Sequence, residues 1–240
     1  MKAKAFLYGV FLQFKLDIRS KSLLITCYIV PLIFFALMGG IFTSVMPQMK
    51  ESLIQSMIVM GVSMGAFIGL PPTLNETCGG EIKKLYKANG VPLFSCVLTI
   101  CISAFLHLLI MCSIITLLAP LIFDAALPKS LPSFFAALAI YIIVSLSIGC
   151  VLGLSIKNQA KLTMFAQLVF LPSIMLSGIM FPAGLLPEIL EWAGRLFPAS
   201  SGYKLMLDGG LHFANLWYPL FILLCASALC GILLKKRREG

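Results

Sequence analysis

Side chains able to do chemistry are scarce in the long apolar runs of this sequence. His107 stands alone in the middle of one run, and of the eight cysteines only Cys78 lies outside the runs. The other seven are Cys27, Cys96, Cys101, Cys112, Cys150, Cys225 and Cys230. A lone histidine and thiols without C-x-x-C spacing supply neither a tetrahedral metal set nor a redox pair. His107 is therefore expected to make an interhelical hydrogen bond, and the cysteines to pack as small apolar residues. No G-x-x-x-x-G-K-[ST] phosphate loop, H-E-x-x-H pair or membrane-depth carboxylate pair is found, so no catalytic or metal-binding residue is assigned. All nine acidic residues are expected in interfaces or loops, which leaves out the buried carboxylate that a proton or sodium antiporter would titrate. Energy for any pumping must then come from an attached partner.

The elements that would hold such side chains are membrane helices. Of 240 residues, 60% are hydrophobic and 11% charged, and the mean hydropathy of +1.03 is far above that of a soluble domain. Six stretches lack Asp, Glu, Lys and Arg: 22–49, 52–75, 88–123, 130–156, 162–187 and 209–234. Each exceeds the ~20 residues that a helix needs to cross a bilayer core. The fold class is an all-α membrane protein, one domain over 1–240, with six transmembrane helices.

The net charge of +9 reflects topology and not a nucleic-acid partner. With six spans, fourteen basic residues fall at the termini and alternate loops, and only Lys50, Lys129, Arg195 and Lys204 on the other side. The positive-inside rule then places both termini in the cytoplasm. Residues 2–19 put Phe6, Leu7, Val10, Phe11, Phe14 and Ile18 on one helical arc, the pattern of an interfacial helix within 1–21. Asp17 falls inside that arc, so the helix is expected to end or turn before it. Gln13, Lys15 and Asp17 also interrupt the apolar stretch in a way that a cleaved signal peptide would not tolerate.

Gly61, Gly65 and Gly69 give the second span a small-residue face on which another helix, in this chain or a second copy, can pack closely. After the fifth span, 181–208 holds a short helical pattern interrupted by Pro182, Pro187 and Pro198. Anchored by Trp192, it reads as a re-entrant outer helix.

The stretch 75–92, NETCGGEIKKLYKANGVP, is a polar island between two apolar runs. Ile82, Leu85 and Tyr86 share one helical face, with Lys83, Lys84 and Lys87 flanking them. Gly79-Gly80 permits a sharp entry, and Asn89-Gly90 before Pro92 is a stop signal. A two-turn helix needs something to pack against: the anionic membrane surface or a groove on a soluble partner.

In the order and placement of these features the sequence resembles the permease subunits of ABC-2 type exporters. The first cytoplasmic loop of that family carries a Glu, a Gly, an apolar-basic-basic-apolar run and a small, Pro-containing exit, matched here by Glu76, Gly80, Ile82-Lys83-Lys84-Leu85 and 87–92. The family's pattern after the fifth helix is matched by Ser177-Gly178, Phe181-Pro182, Leu186-Pro187, Trp192, Pro198 and Tyr203. Gly90 stands where a Pro is common, and Glu81 where Thr or Ser is common.

The resemblance implies two permease halves, as a homodimer or heterodimer, in a bacterial plasma membrane. It further implies two copies of a cytoplasmic ABC ATPase that bind ATP and magnesium, with no cofactor in this chain. Ile82, Leu85 and Tyr86 would seat in the ATPase groove as a coupling helix, with Glu76, Gly80 and the lysines orienting it. The uncharged spans favour a drug, antimicrobial peptide or lipid as cargo. Haem or polysaccharide export, and a non-pumping scaffold or immunity factor, are the alternatives.

Overall fold

Prolines decide where the long helices change pitch. The computed structural model describes residues 3–79, 86, 88, 90–180, 187–207 and 213–239, and every regular element among them is helical. Helix α1 spans Ala3–Arg19, α2 spans Lys21–Ser44 and α3 spans Pro47–Gly79. Both α2 and α3 widen into one π-helical segment, at Ile25–Ile29 and Gly65–Gly69. Each segment ends two residues before a proline, Pro31 or Pro71. A proline ring in a regular α-helix strikes the carbonyl four residues earlier, and a widened turn relieves that clash.

The remaining helices are α4 (Leu93–Phe123), α5 (Leu131–Ser155), α6 (Gln159–Met175), α7 (Glu188–Gly194), α8 (Pro198–Leu207) and α9 (Phe213–Glu239). Five helices, α2 to α5 and the Asn215–Arg237 part of α9, are long and apolar enough to cross a membrane. Where a fifth of six spans was expected over 162–180, α6 has 17 residues. It stops where the backbone tightens at Leu176, with Ser177 N–H bonding the Ile174 carbonyl at 3.4 Å, and Gly178 takes a φ of +84°, a conformation that glycine adopts without strain.

Helix α3 is the axis of the bundle, with 83% of the residues in its 18-residue apolar window buried. Glycines bring its neighbours close. A Cβ at Gly61 would meet Met111 of α4 and Pro31 of α2, and one at Gly65 would meet Leu108 of α4. Gly69 lies against Cys27 and Thr26 of α2, so the two π segments pack on each other. On the other side, α5 crosses α3 through Gly149 and Gly153, where a Cβ would lie 2.1 Å from the Ala66 carbonyl oxygen and 2.9 Å from that of Pro71. This small-xxx-small pair lets backbones touch.

Helix α1 does not break before Asp17. It continues to Arg19 because Asp17 is satisfied by packing against α4: Gln13 Nε2 donates to Asp17 Oδ1 at 2.8 Å, and Ser103 Oγ donates to Oδ2 at 2.5 Å. The carboxyl is buried.

Candidate functional site

The chain ends that gather Lys21, Lys157, Lys161, Lys235 and Lys236 form one basic end of the bundle, where α3 finishes at Gly79 and α4 begins at Leu93. In the sequence the polar island joins these two helices. Gly80, Ile82, Lys83, Lys84, Leu85 and Lys87, all expected in a coupling helix, lie outside the described residues, as do Phe181 and Pro182 of the outer segment. Glu76 is exposed on the last turns of α3. Tyr86 and Ala88 are helical, and Gly90 takes a φ of +66° while Val91 N–H donates to the Tyr86 carbonyl at 2.9 Å. A left-handed glycine with a six-to-one hydrogen bond is a Schellman helix end. That φ also explains why Gly90 replaces the more common proline, whose ring fixes φ near −65°.

Tyr86 is half-buried against the core beside α4, and burial, with the Cys96 thiol alongside, pushes its phenol up to about 12. A cavity of about 310 Å³ separates it from α1, with Phe6, Gly9 and Gln13 on one wall and Val91, Cys96 and Thr99 on the other. The island's exit therefore faces both the N-terminal helix and the start of α4.

The root of the island is tied down from the other side. Asn75 is buried, and its Nδ2 donates to the Lys157 carbonyl at 3.0 Å and to Gln159 Oε1 at 3.2 Å. Arg237 of α9 reaches the same place, its Nε donating to the Leu154 carbonyl at 2.9 Å and its Nη2 to that of Gly153 at 3.2 Å. Those carbonyls belong to the last turn of α5, which has no intrahelical donors of its own. Sequence reasoning missed both residues: Asn75 reads as the first residue of a loop, and Arg237 as one of four interchangeable terminal cations.

Deeper in the bundle, His107 Nδ1 and Tyr28 OH are 2.8 Å apart, joining α4 to α2 as expected of an interhelical hydrogen bond. The Phe14 ring of α1 stacks on the imidazole at 4.3 Å. Burial raises the Asp17 carboxyl from its ordinary value, against the opposing pull of its hydrogen bonds from Ser103 and Gln13 and of His107 nearby. No group of three or more metal-ligating side chains occurs among the described residues, and the described cysteines are free thiols.

At the opposite end, Pro187 precedes α7 as its N-cap and Pro198 opens α8. Ser177 Oγ donates to the Ile174 carbonyl at 2.7 Å, Ser200 Oγ closes on the Gly194 carbonyl at 2.6 Å, and Gly194 abuts the Leu176 carbonyl. The α7–α8 pair is thus folded back under the end of α6, with Trp192 exposed. Arg195 and Lys204, with Trp217 and Tyr218, line a cavity of about 210 Å³ there.

This arrangement is built of helix ends, and its polar side-chain pairs Ser103–Asp17 and Tyr28–His107 join α4 to α1 and α2. What it offers is a set of helix ends fastened around the root of a polar connection. A search of curated proteins finds no match to this chain. A family model described as "ABC-2 type transporter" matches residues 6–211, which takes in α1, the polar island and the folded-back outer pair, and the chain belongs to that family.

Proposed function

We propose that this chain is the transmembrane subunit of an ATP-binding cassette exporter, moving an amphipathic or hydrophobic cargo with ATP hydrolysed on a separate cytoplasmic subunit. The carrying observation is the family match over 6–211, whose members typically work with an ATPase partner. The basic end then faces the cytoplasm, and the segment around 81–88 is the coupling helix that receives the ATPase. Ile82, Leu85 and Tyr86 seat in its groove, with Glu76, Gly80 and the lysines orienting the contact.

Helix α6 serves as the remaining span. Its 17 residues rise about 25 Å, and the outer pair completes the crossing. One face of α6 is exposed and apolar through Met164, Leu168 and Leu171, yet it also carries Thr163 and Gln167. An exposed amide at that depth finds no partner in lipid. This supports a second permease half against α6, with the pathway between the halves. Cargo of low polarity suits such a surface. The haem reading is disfavoured because His107 is buried under Phe14 and held by Tyr28.

Co-expression with any neighbouring reading frame that carries the G-x-x-x-x-G-K-[ST] loop tests the reading. The wild-type chain is expected to co-purify with it and to support ATP hydrolysis in nanodiscs. Leu85→Asp places a carboxylate in the apolar contact and is expected to dissociate the pair or to abolish ATP-driven movement of the helices. An intact, fully responsive complex with Leu85→Asp sinks the coupling assignment, and a wild-type chain that binds no ATPase supports the non-pumping scaffold instead.

A further inference from the structure

The four terminal cations do not behave alike. Lys235 and Lys236 are exposed, as solvated positive-inside residues should be. Arg237 is 8% exposed and points back into the bundle. Burying a guanidinium is costly unless its donors are used, and here they are used on other helices. Nε and Nη2 hold the Leu154 and Gly153 carbonyls of α5, and Nη2 also lies 3.5 Å from Asn75 Oδ1 of α3. The positive charge sits at the negative end of the α5 dipole. Asn75 in turn holds the Lys157 carbonyl and Gln159, which starts α6.

The third nitrogen, Nη1, has no hydrogen-bond partner among the described residues and lies 3.3 Å from where a Cβ on Gly79 would stand. Gly79, inside the polar island, is the last described residue of α3. One buried cation and one buried amide therefore join the ends of α3, α5, α6 and α9 at the point where the island departs.

We propose that Arg237, through Asn75, is a positioning residue for coupling: it makes these four helix ends one mechanical unit, so that a push on the 75–92 connection moves them together and not α3 alone. This rests on the coupling-helix reading above. Without the clasp, a displaced α3 end would slide past α5 on the glycine contacts at Gly149 and Gly153, and the motion would be lost locally. Lysine cannot substitute fully, because a single ammonium lacks the fork that spans two carbonyls and an amide.

The test uses the complex of this chain with its ATPase in nanodiscs, with hydrogen exchange read over 70–79 and 153–159, with and without ATP, magnesium and vanadate. In the nucleotide-free wild type both segments are expected to be protected. Arg237→Gln is expected to lower protection by about ten- to a hundred-fold, the loss that accompanies removal of a charged hydrogen bond. A merely structural role would stop there. The positioning role further requires that nucleotide trapping alter exchange at 153–159 in the wild type and leave it unmoved in Arg237→Gln, although ATP hydrolysis and assembly persist. Arg237→Lys should recover part of the response.

Asn75→Ala carries the same expectation without touching a charge and covers the case in which Arg237→Gln fails to assemble. A nucleotide response at 153–159 that survives in both Arg237→Gln and Asn75→Ala overturns the clasp while leaving the coupling reading intact. A wild-type chain that binds no ATPase removes the reading itself, and the clasp with it.

Discussion

The apolar stretches of helices α3 and α9 have nearly equal mean hydropathy, yet 83% of the residues in the 18-residue apolar window of α3 are buried and only 11% in that of α9. In water, apolar content alone would sort a core helix from a surface one. In a bilayer it cannot, because lipid tails are as apolar as leucine. The difference lies in size and not polarity. Where α3 meets α2, α4 and α5, glycines stand at close approaches, Gly61, Gly65 and Gly69 on α3 and Gly149 and Gly153 on α5. Helix α9 instead presents Trp217, Leu220, Phe221, Leu224, Leu229 and Ile232 outward, and its Gly231 has open space around it.

The sharpest way to break this contrast is at the α3–α5 crossing. A side chain at Gly149 would run into the Ala66 carbonyl, which is backbone and cannot rotate away. Gly149→Leu is expected to cost more than about 3 kcal/mol, the upper range of overpacking, and to be read as loss of monodisperse protein on extraction. Gly149→Ala should show the same direction with a smaller effect. Normal yield and melting temperature for Gly149→Leu would mean that α3 and α5 do not touch in the membrane.

Gly65 makes a graded second case. Its added Cβ would meet the Leu108 Cδ2 terminus, a rotatable side-chain end. Gly65→Ala is expected to cost about 1 kcal/mol, the low end for overpacking, measured as a modest fall in melting temperature relative to Gly149→Ala. Equal costs at the two sites would show that the distinction between backbone and side-chain neighbours carries no weight here.

These contacts also show what was legible beforehand. The stripe Gly61-Gly65-Gly69 was read as a packing face, but not its partner, because a small residue invites approach without naming what approaches. Gly149 and Gly153 have the same spacing in the sequence and went unread, inside a run whose apolarity already marked it as a span. Five of the stretches marked out by charge alone hold helices long and apolar enough to cross a membrane. The end of α6 was not marked in this way, since it depends on the backbone turning at Leu176 and on φ at Gly178, neither of which a hydropathy pattern carries. At the candidate site, the stop at Gly90 was readable because turn chemistry is local. Asn75 and Arg237 were not, because their partners lie 82 or more residues away along the chain for every bond that joins helix ends. Asp17 was misplaced for a related reason: a carboxyl on an apolar arc looks like a helix end until Ser103 is known to face it.

Helix α1 combines both kinds of surface, with Leu7, Tyr8, Phe11 and Leu16 exposed like those of α9, and Val10 and Asp17 buried like those of α3. Its buried side yields a pH prediction. Because burial raises the Asp17 carboxyl in the folded state, the attached helix holds a proton that a detached α1 would release. Attachment is thus strongest below the ordinary carboxylate range and weakens as pH climbs through the raised value. The slope cannot exceed about 1.4 kcal/mol per pH unit for one proton. Hydrogen exchange over 3–19, followed from pH 4.5 to 8, should show this weakening, and Asp17→Asn should flatten it. A profile identical in the wild type and Asp17→Asn would assign the titration elsewhere.

The smallest effect is expected on α9, and its smallness is what decides the comparison. A Cβ at Gly231 meets nothing within 4 Å, and the residues around it on that helix, Leu229 and Ile232, are exposed. If burial in this fold is governed by how closely backbones approach, a side chain added at Gly231 displaces only lipid. Gly231→Ala should then leave the melting temperature unchanged or raise it slightly, since alanine favours the helix by up to about 1 kcal/mol in soluble hosts. Gly231→Leu should be tolerated as well, although its longer side chain extends toward the apolar groove between α4, α5 and α9. A cost at Gly231 approaching that at Gly149 would require α9 to be covered by another protein surface, and the division between a buried axis and a lipid-facing periphery would then hold only for the isolated chain.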